Sequence, residues 1–510
     1  MRLGERKRVE LCGKLEDLCA EFDRWLADAE PGGPLRKHRS QISRLTNQLR
    51  GMVERIADEV RALPGADEVR RLPGADPAPP TVAPAALSAD GPQRVVDVAL
   101  RESRRLQLEL LEVHRLWDYF RAKLVLRRVE FFRPYLAAVD EFAWDCFRPA
   151  LERDARHRQS SPEQKESPLV YLSGDFSPFI HLRHQPFAVQ QVPDALDTLE
   201  FLKLTYALPV PVIGMPWYQV GHLPDAIVIA HEVGHSVERD LELTSTTEGH
   251  LQTVAAHLHD TRRSGWFAWL PEVFADLYAT LAAGPAFASG LADLLATDPM
   301  WLAGERPGPP WADHPPASLR IALVSRALTR TGFEAEAVQG WREWITTYPP
   351  TTLTGDGKSG TFFDDVNTVV DALLGGVYPQ FGKVPLTTVI SFSPTQQRRA
   401  AMDADRVLGN ADPNSDDIRC LMASARLAFE KDPVTYRTAV PGRLTSHQLL
   451  AARIEQIIND APRGIERRED PQPSADQAAG AALIDLMGQL KRRRVDHRSP
   501  PKEGTNGHPD

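Results

Sequence analysis

Apolar residues recur at steps of three and four through the first sixty positions. Leu11, Leu15, Leu18, Phe22 and Trp25 form one seam, and Ile42, Leu45, Leu49, Met52, Ile56, Val60 and Leu63 form a second. A 3.6-residue repeat places such positions on one face, so each seam predicts an amphipathic helix. The turn Pro31-Gly32-Gly33-Pro34 separates them and folds residues 1–62 into an antiparallel hairpin. Residues 63–92 predict a linker: the phrase LPGAD stands at 63–67 and again at 72–76, followed by DPAPPTVAPAALSADGP. Helical periodicity returns at Val96, Leu100, Leu106, Leu110, Val113, Trp117 and Phe120. It continues as a long helical segment over 93–160, with kinks expected at Pro134 and Pro149.

The period changes at Leu169–Leu172 and Phe179–Leu182, which read as strands, and again over Tyr206–Val220. Proline has no N–H for a ladder. Pro209, Pro211 and Pro216 therefore make the last stretch an expected edge strand or groove-lining segment. Tyr278–Ala296 is rich in Ala and Leu, but Gly284-Pro285 divides it and Asp293 lies within it. Two short buried helices are predicted there, with no membrane insertion. Residues 346–460 predict a C-terminal helical region. Residues 461–510 predict a largely disordered tail with one short helix near Ala478–Leu490. The fold class expected is mainly α (α+β), with a small sheet and helical regions at both ends.

Composition narrows the partners. The chain has 510 residues and a formal net charge of −9, which argues against a dedicated nucleic-acid binder. Lys491–Arg494 reads as a solvated basic run. Cys12, Cys19, Cys146 and Cys420 are too few and too scattered for a disulfide framework or a thiolate zinc site. The N-terminal stretch is charged throughout and lacks the apolar core of a signal peptide, so a soluble, cytoplasmic protein is expected. The N-terminal seams suit packing within the chain and leave self-association open.

The chemistry concentrates in Asp225–Asp240, DAIVIAHEVGHSVERD. His231 and His235 lie four apart on a predicted helix and so reach one ion, with Glu232 beside the ion's open position. Residues 226–230 are uncharged, which makes this a buried helix, where two histidines and a glutamate need partners. Gly234 is a poor helix former, and its presence predicts a close packing contact. Two histidines do not complete a catalytic zinc site. Glu272, on the predicted helix in SGWFAWLPEVFADLYATLA, is the third candidate ligand. Asp276 lies one turn later on the same face, placed to accept a hydrogen bond from the second ring nitrogen of a ligand histidine.

His231-Glu232-Val233-Gly234-His235 followed by Glu272-x-x-Ala275-Asp276 resembles the gluzincin metallopeptidases. The closest versions of these motifs are in the HtpX and CAAX-prenyl-protease group. Asp313-His314-Pro315-Pro316-Ala317-Ser318-Leu319-Arg320-Ile321 resembles that group's H-P-P-x-x-x-R-I element. The short gap from His235 to Glu272 is nearer the compact ImmA/IrrE-type metallopeptidases, and the first group's membrane helices are missing. The resemblance implies a zincin-like domain over 161–345, with one zinc ion held by His231, His235 and Glu272. That zinc would lower the pKa of a water and polarise a scissile carbonyl. Glu232 would act as the general base.

An oxyanion donor is also needed. His314 is the first candidate from the H-P-P resemblance, with Tyr278 and Tyr218 as alternatives. Arg320 is expected to pin its loop by pairing with a carboxylate. Substrate backbone is expected to add as a strand along Val210–Tyr218 or Leu169–Leu172. The function implied is that of a soluble zinc endopeptidase acting on a protein or peptide substrate. The alternatives are a non-catalytic zinc-binding interaction protein and a regulatory protease that cleaves one specific repressor or partner. Two other signals are set aside. Gly355-Asp356-Gly357-Lys358-Ser359 has Thr352 where a phosphate loop needs its first glycine. His250, His257 and His259 cluster between the two site helices, but His257 and His259 are two apart and face differently on a helix, so the three are expected to be surface residues or neighbours of the site.

Overall fold

The computed structural model describes residues 3–63, 90–158, 165–182, 210–304, 308–349, 362–438, 441–460 and 476–482. Most of the expected linker, residues 351–361 with the Gly355–Ser359 run, and nearly all of the C-terminal tail lie outside them. The chain is mainly helical and divides into two compact units.

In the first unit, helix α1 (Leu3–Asp28) turns back into α2 (Arg39–Ala62). The two predicted seams supply the buried positions, with Leu11, Phe22, Ile42, Met52 and Ile56 fully enclosed. Helix α3 (Asp90–Val125) joins them. Its Trp117 meets Phe22 and Trp25 edge-on at centroid distances of 5.2 and 5.5 Å. Trp117 Nε1 also donates to Glu21 at 2.9 Å, so the buried indole N–H has a partner.

The second unit takes in the last turn of α3 and most of residues 123–465. The expected kink at Pro134 is instead a complete break. A 3₁₀ turn at Leu126–Arg128 ends one helix, and α4 (Arg133–Arg158) begins anew with Pro134 as its second residue. A proline there removes an N–H that a helix start does not use. Pro149 does lie inside α4.

Three short strands, β1 (Leu169–Ser173), β2 (Phe179–His181) and β3 (Val212–Pro216), form a sheet in the order β1-β3-β2. Strand β3 is parallel to β1, with Leu169 opposite Val212 and Ser173 opposite Pro216; it is antiparallel to β2, with Phe179 opposite Gly214. This corrects the expectation that the proline-bearing stretch forms an edge. Val212–Met215 is free of proline and pairs with β1 throughout and with β2 over Val212–Gly214, while Pro211 and Pro216 fall at its ends. Val170, Leu172, Ile213 and Met215 enter the core from one face. On the other face Tyr171, Gly214 and Phe179 share a row. A Cβ on Gly214 would sit 2.4 Å from the Phe179 ring, so glycine is what lets that ring cross β3.

The outer edge of β1 is closed by side chains. Arg127 clasps Asp140 through two hydrogen bonds of 2.9 and 2.8 Å and donates to Val170 O, while Val170 N donates back to Asp140 at 3.2 Å. Among the described residues, neither Leu169–Leu172 nor Val210–Tyr218 is therefore open to an added strand, and β2 forms the remaining edge.

Beyond the sheet, a 3₁₀ turn at Leu223–Val228 leads into α5 (Ile229–Asp240). Helices α6 (Leu270–Ala283) and α7 (Pro285–Leu295) take up the Ala- and Leu-rich stretch, joined at Gly284 with φ of 59°. Then come α8 (Ala317–Arg330), α9 (Phe362–Gly375), α10 (Ile418–Lys431) and α11 (Ser446–Asp460). Helices α4, α6 and α10 pack around α5 and the turn that precedes it. No helix among the described residues is long and apolar enough to cross a membrane.

Candidate metal centre

Helix α5 is buried almost all round. Ile229, Ala230, Val233 and Val237 are enclosed in the core, and the same helix carries His231, Glu232 and His235. Its closest neighbour is α6, and Gly234 explains the approach. A Cβ at position 234 would lie 2.8 Å from Ala275 Cα and 3.2 Å from Ala275 Cβ. The small residues of the two motifs thus face each other, and the short distance between the backbones lets Glu272 reach the histidines.

His231 Nε2 and His235 Nε2 stand 3.1 Å apart, and each is 3.3 Å from a different oxygen of Glu272. One ligand atom from each of the three residues lies within 4.8 Å of the others. Among the described residues no other group of His, Cys, Asp and Glu converges in this way; His250, His257 and His259 do not. Glu272 Oε2 is buried without a hydrogen-bond partner of ordinary geometry, although His314 Nε2 stands 3.6 Å away. Two imidazole nitrogens pointed at each other beside a buried carboxylate oxygen are what a divalent cation would satisfy. The donor set fits one metal ion.

Behind the three donors lies a relay of charges. His231 Nδ1 is 2.8 Å from Asp276 Oδ1, and Asp276 is completely buried. Arg320, in the first turn of α8, donates to both Asp276 oxygens at 2.8 and 2.7 Å. Asp276 therefore holds the proton of His231 on Nδ1 and leaves Nε2 to face Glu272. Arg320 was expected to pin its loop by pairing with a carboxylate, and the carboxylate it pairs with is Asp276, behind a ligand candidate. Burial opposes ionisation of Asp276, but Arg320 and His231 outweigh it and hold the carboxyl below its usual range. Burial likewise opposes charge on His231, yet Asp276 and Glu272 prevail and raise its pKa to about 9. Glu272 is held well below the usual carboxylate range: burial works against this, and the two histidines outweigh it.

A pH dependence follows. In the metal-free protein His231 carries a proton across the neutral range, and a metal ion must displace it. Apparent affinity for zinc is expected to rise about tenfold per pH unit and to level off near pH 9, with roughly one proton released per ion. The metal-free stability runs the other way. The charged His231 contributes fully below about pH 6.5, its unfolded value, and that contribution is lost as pH rises through about 9. Titration calorimetry in buffers of different ionisation enthalpy, together with melting curves in chelator, measures both.

The other candidates fall in different places. Glu232 follows His231 on α5 and is 8% exposed. The His314 side chain is 60% exposed at the rim of the site. Its segment is held by Trp269, whose Nε1 donates to Ala312 O at 3.0 Å and whose ring meets Trp311 at 5.2 Å. The tryptophans of SGWFAWLP and PWADHPP were the signal for this anchor. Tyr278 is not at the site: it is fully buried and donates to Cys146 O at 2.7 Å, tying α6 to α4. The Tyr218 hydroxyl is engaged with Phe176 O at 2.6 Å. Neither phenol is free to serve as an oxyanion donor.

Replacing Gly234 by alanine tests the helix contact. On an unobstructed helix the change would gain about 1 kcal/mol, but overpacking costs about 1–3 kcal/mol. The variant is expected to melt lower and to hold zinc more weakly; a higher melting temperature would show that α5 and α6 have room to spare.

No protein-family model, characterised protein or solved structure matches the chain.

Proposed function

We propose that this protein is a zinc-dependent peptidase of the gluzincin type, in which His231, His235 and Glu272 hold the ion. The observation that carries the reading is the convergence of these three donors with Glu232 between the two histidines. A purely structural site has no use for a carboxylate at that position. When bound, the ion supplies Lewis acidity toward a carbonyl and makes a water acidic near neutral pH.

The residues of the chain do the rest. Glu232 accepts a proton from the attacking water and delivers it to the leaving amine. Asp276 and Arg320 keep His231 in one tautomer and orientation. His314, exposed at the rim, donates to the oxyanion as negative charge develops. Extended substrate backbone adds along β2, the edge that packs beside α5.

The test combines metal analysis with cleavage of a proteome-derived peptide library, with and without chelator. Zinc at one ion per chain with chelator-sensitive cleavage supports the peptidase. Zinc without cleavage favours an interaction protein. Cleavage confined to a single partner protein favours a regulatory protease.

A further inference from the structure

Five aromatic side chains from three separate connections form two contact groups near one end of the small sheet, linked along the chain at Trp217-Tyr218. Phe131 and Phe132 follow the break after α3, Phe176 lies in the connection from β1 to β2, and Trp217 and Tyr218 follow β3 directly. Phe131 packs edge-on against Phe132 at 5.0 Å, and Phe132 against Trp217 at 5.3 Å. Tyr218 lies 6.0 Å from Phe176 and holds that loop by its hydrogen bond to Phe176 O. Yet Phe176 is 84% exposed, Phe131 74% and Tyr218 63%. Large apolar side chains held in place and left in water mark an interaction surface.

We infer that this ridge is a specificity site for a large apolar side chain of an extended peptide substrate, which deepens the peptidase reading and rests on it. Three observations select the occupant. The ridge adjoins β2 along the chain, since Phe176 lies in the bend Gly174–Ser177 and precedes Phe179 by three residues. Among the described residues, β2 is the sheet edge left after Arg127 and Asp140 close β1 and after β3 is paired on both sides. A peptide laid along β2 therefore continues onto Phe176 and Tyr218. The charges interleaved with the rings, Arg128 and Arg133 against Glu130 and Asp175, cancel, and the whole chain is at −9. That balance suits an uncharged side chain and disfavours an anionic lipid surface.

The experiment uses decapeptides of alanine and serine with a single tryptophan moved through successive positions, and one with none. Zinc-loaded wild type is compared with the double variant Phe131→Ser/Phe176→Ser. The expected result is about tenfold higher kcat/KM at one or two tryptophan positions, carried in KM. In the double variant that advantage should disappear while turnover of the tryptophan-free peptide stays unchanged. Binding of the fluorescein-labelled peptides to metal-free Glu232→Gln, read by anisotropy, should show the same preference. Equal turnover of all peptides, or an advantage that survives the double substitution, overturns the inference and leaves the peptidase standing. Tryptophan-dependent binding with no cleavage by wild type overturns the peptidase reading and with it the ridge's role in substrate choice, and leaves a peptide-binding surface. Absence of both overturns both. Sedimentation with phosphatidylserine vesicles that depends on Phe131 and Phe176, with no peptide preference, assigns the ridge to membranes and also overturns it.

Discussion

Glu232→Gln is expected to lower kcat by about 10²–10⁴-fold, the usual contribution of a positioned acid–base group. Zinc content and melting temperature should stay at wild-type values. Glutamine keeps the size and hydrogen-bonding capacity of the side chain but cannot take a proton from water. Glu232 is not one of the three converging donors, so its neutralisation leaves that set intact. Single-turnover cleavage of a library peptide, alongside metal analysis of the same preparation, reads the two quantities separately. Retained cleavage would remove Glu232 from the proposed chemistry. Loss of zinc together with activity would make it a ligand.

Arg320→Met should have the largest effect on folding. Asp276 is completely buried, and its carboxylate accepts two hydrogen bonds from Arg320. Breaking a buried pair costs about 3–5 kcal/mol, and because His231 stays beside Asp276 the lower end of that range is expected. His231 would lose its fixed orientation at the same time, with about 10–100-fold weaker zinc binding expected. Arg320→Lys restores charge but not the two-pronged geometry, and should fall between the two. Urea denaturation of the metal-free protein and competition with a chromophoric chelator measure these effects independently. A stable Arg320→Met protein with wild-type zinc affinity would show that Asp276 needs no cation behind it.

Much of the arrangement was legible because it is local. The seams Leu11–Trp25 and Ile42–Leu63 repeat every three or four residues, and helices follow from that period alone. His231, Glu232 and His235 belong to one helix, so a four-residue spacing is enough to bring the two imidazoles together. Gly234 also predicted a close neighbour, although only the fold identifies it as Ala275. The strand bearing Pro211 and Pro216 was misjudged because prolines were counted over the whole stretch. What matters is where they fall along the ladder, and Val212–Met215 lies between them. Pro134 was misjudged in a similar way: a proline within a long periodic run reads as a kink, and here it opens a new helix.

The amino-acid sequence by itself determined the helices, the pair of histidines with their intervening carboxylate, and the short list of residues able to join them. Each of these depends on periodicity or on a spacing within one element. Only the tertiary structure decided that Glu272, the third ligand expected from the sequence, reaches the histidines, that the carboxylate facing Arg320 is Asp276, that Tyr278 and Tyr218 are engaged elsewhere, and that β2 is the edge that Arg127 and Asp140 leave among the described residues. Those pairings join residues dozens of positions apart, and their partners are set by how elements cross. A close approach such as Gly234 on Ala275 leaves no trace in either local sequence beyond two small side chains.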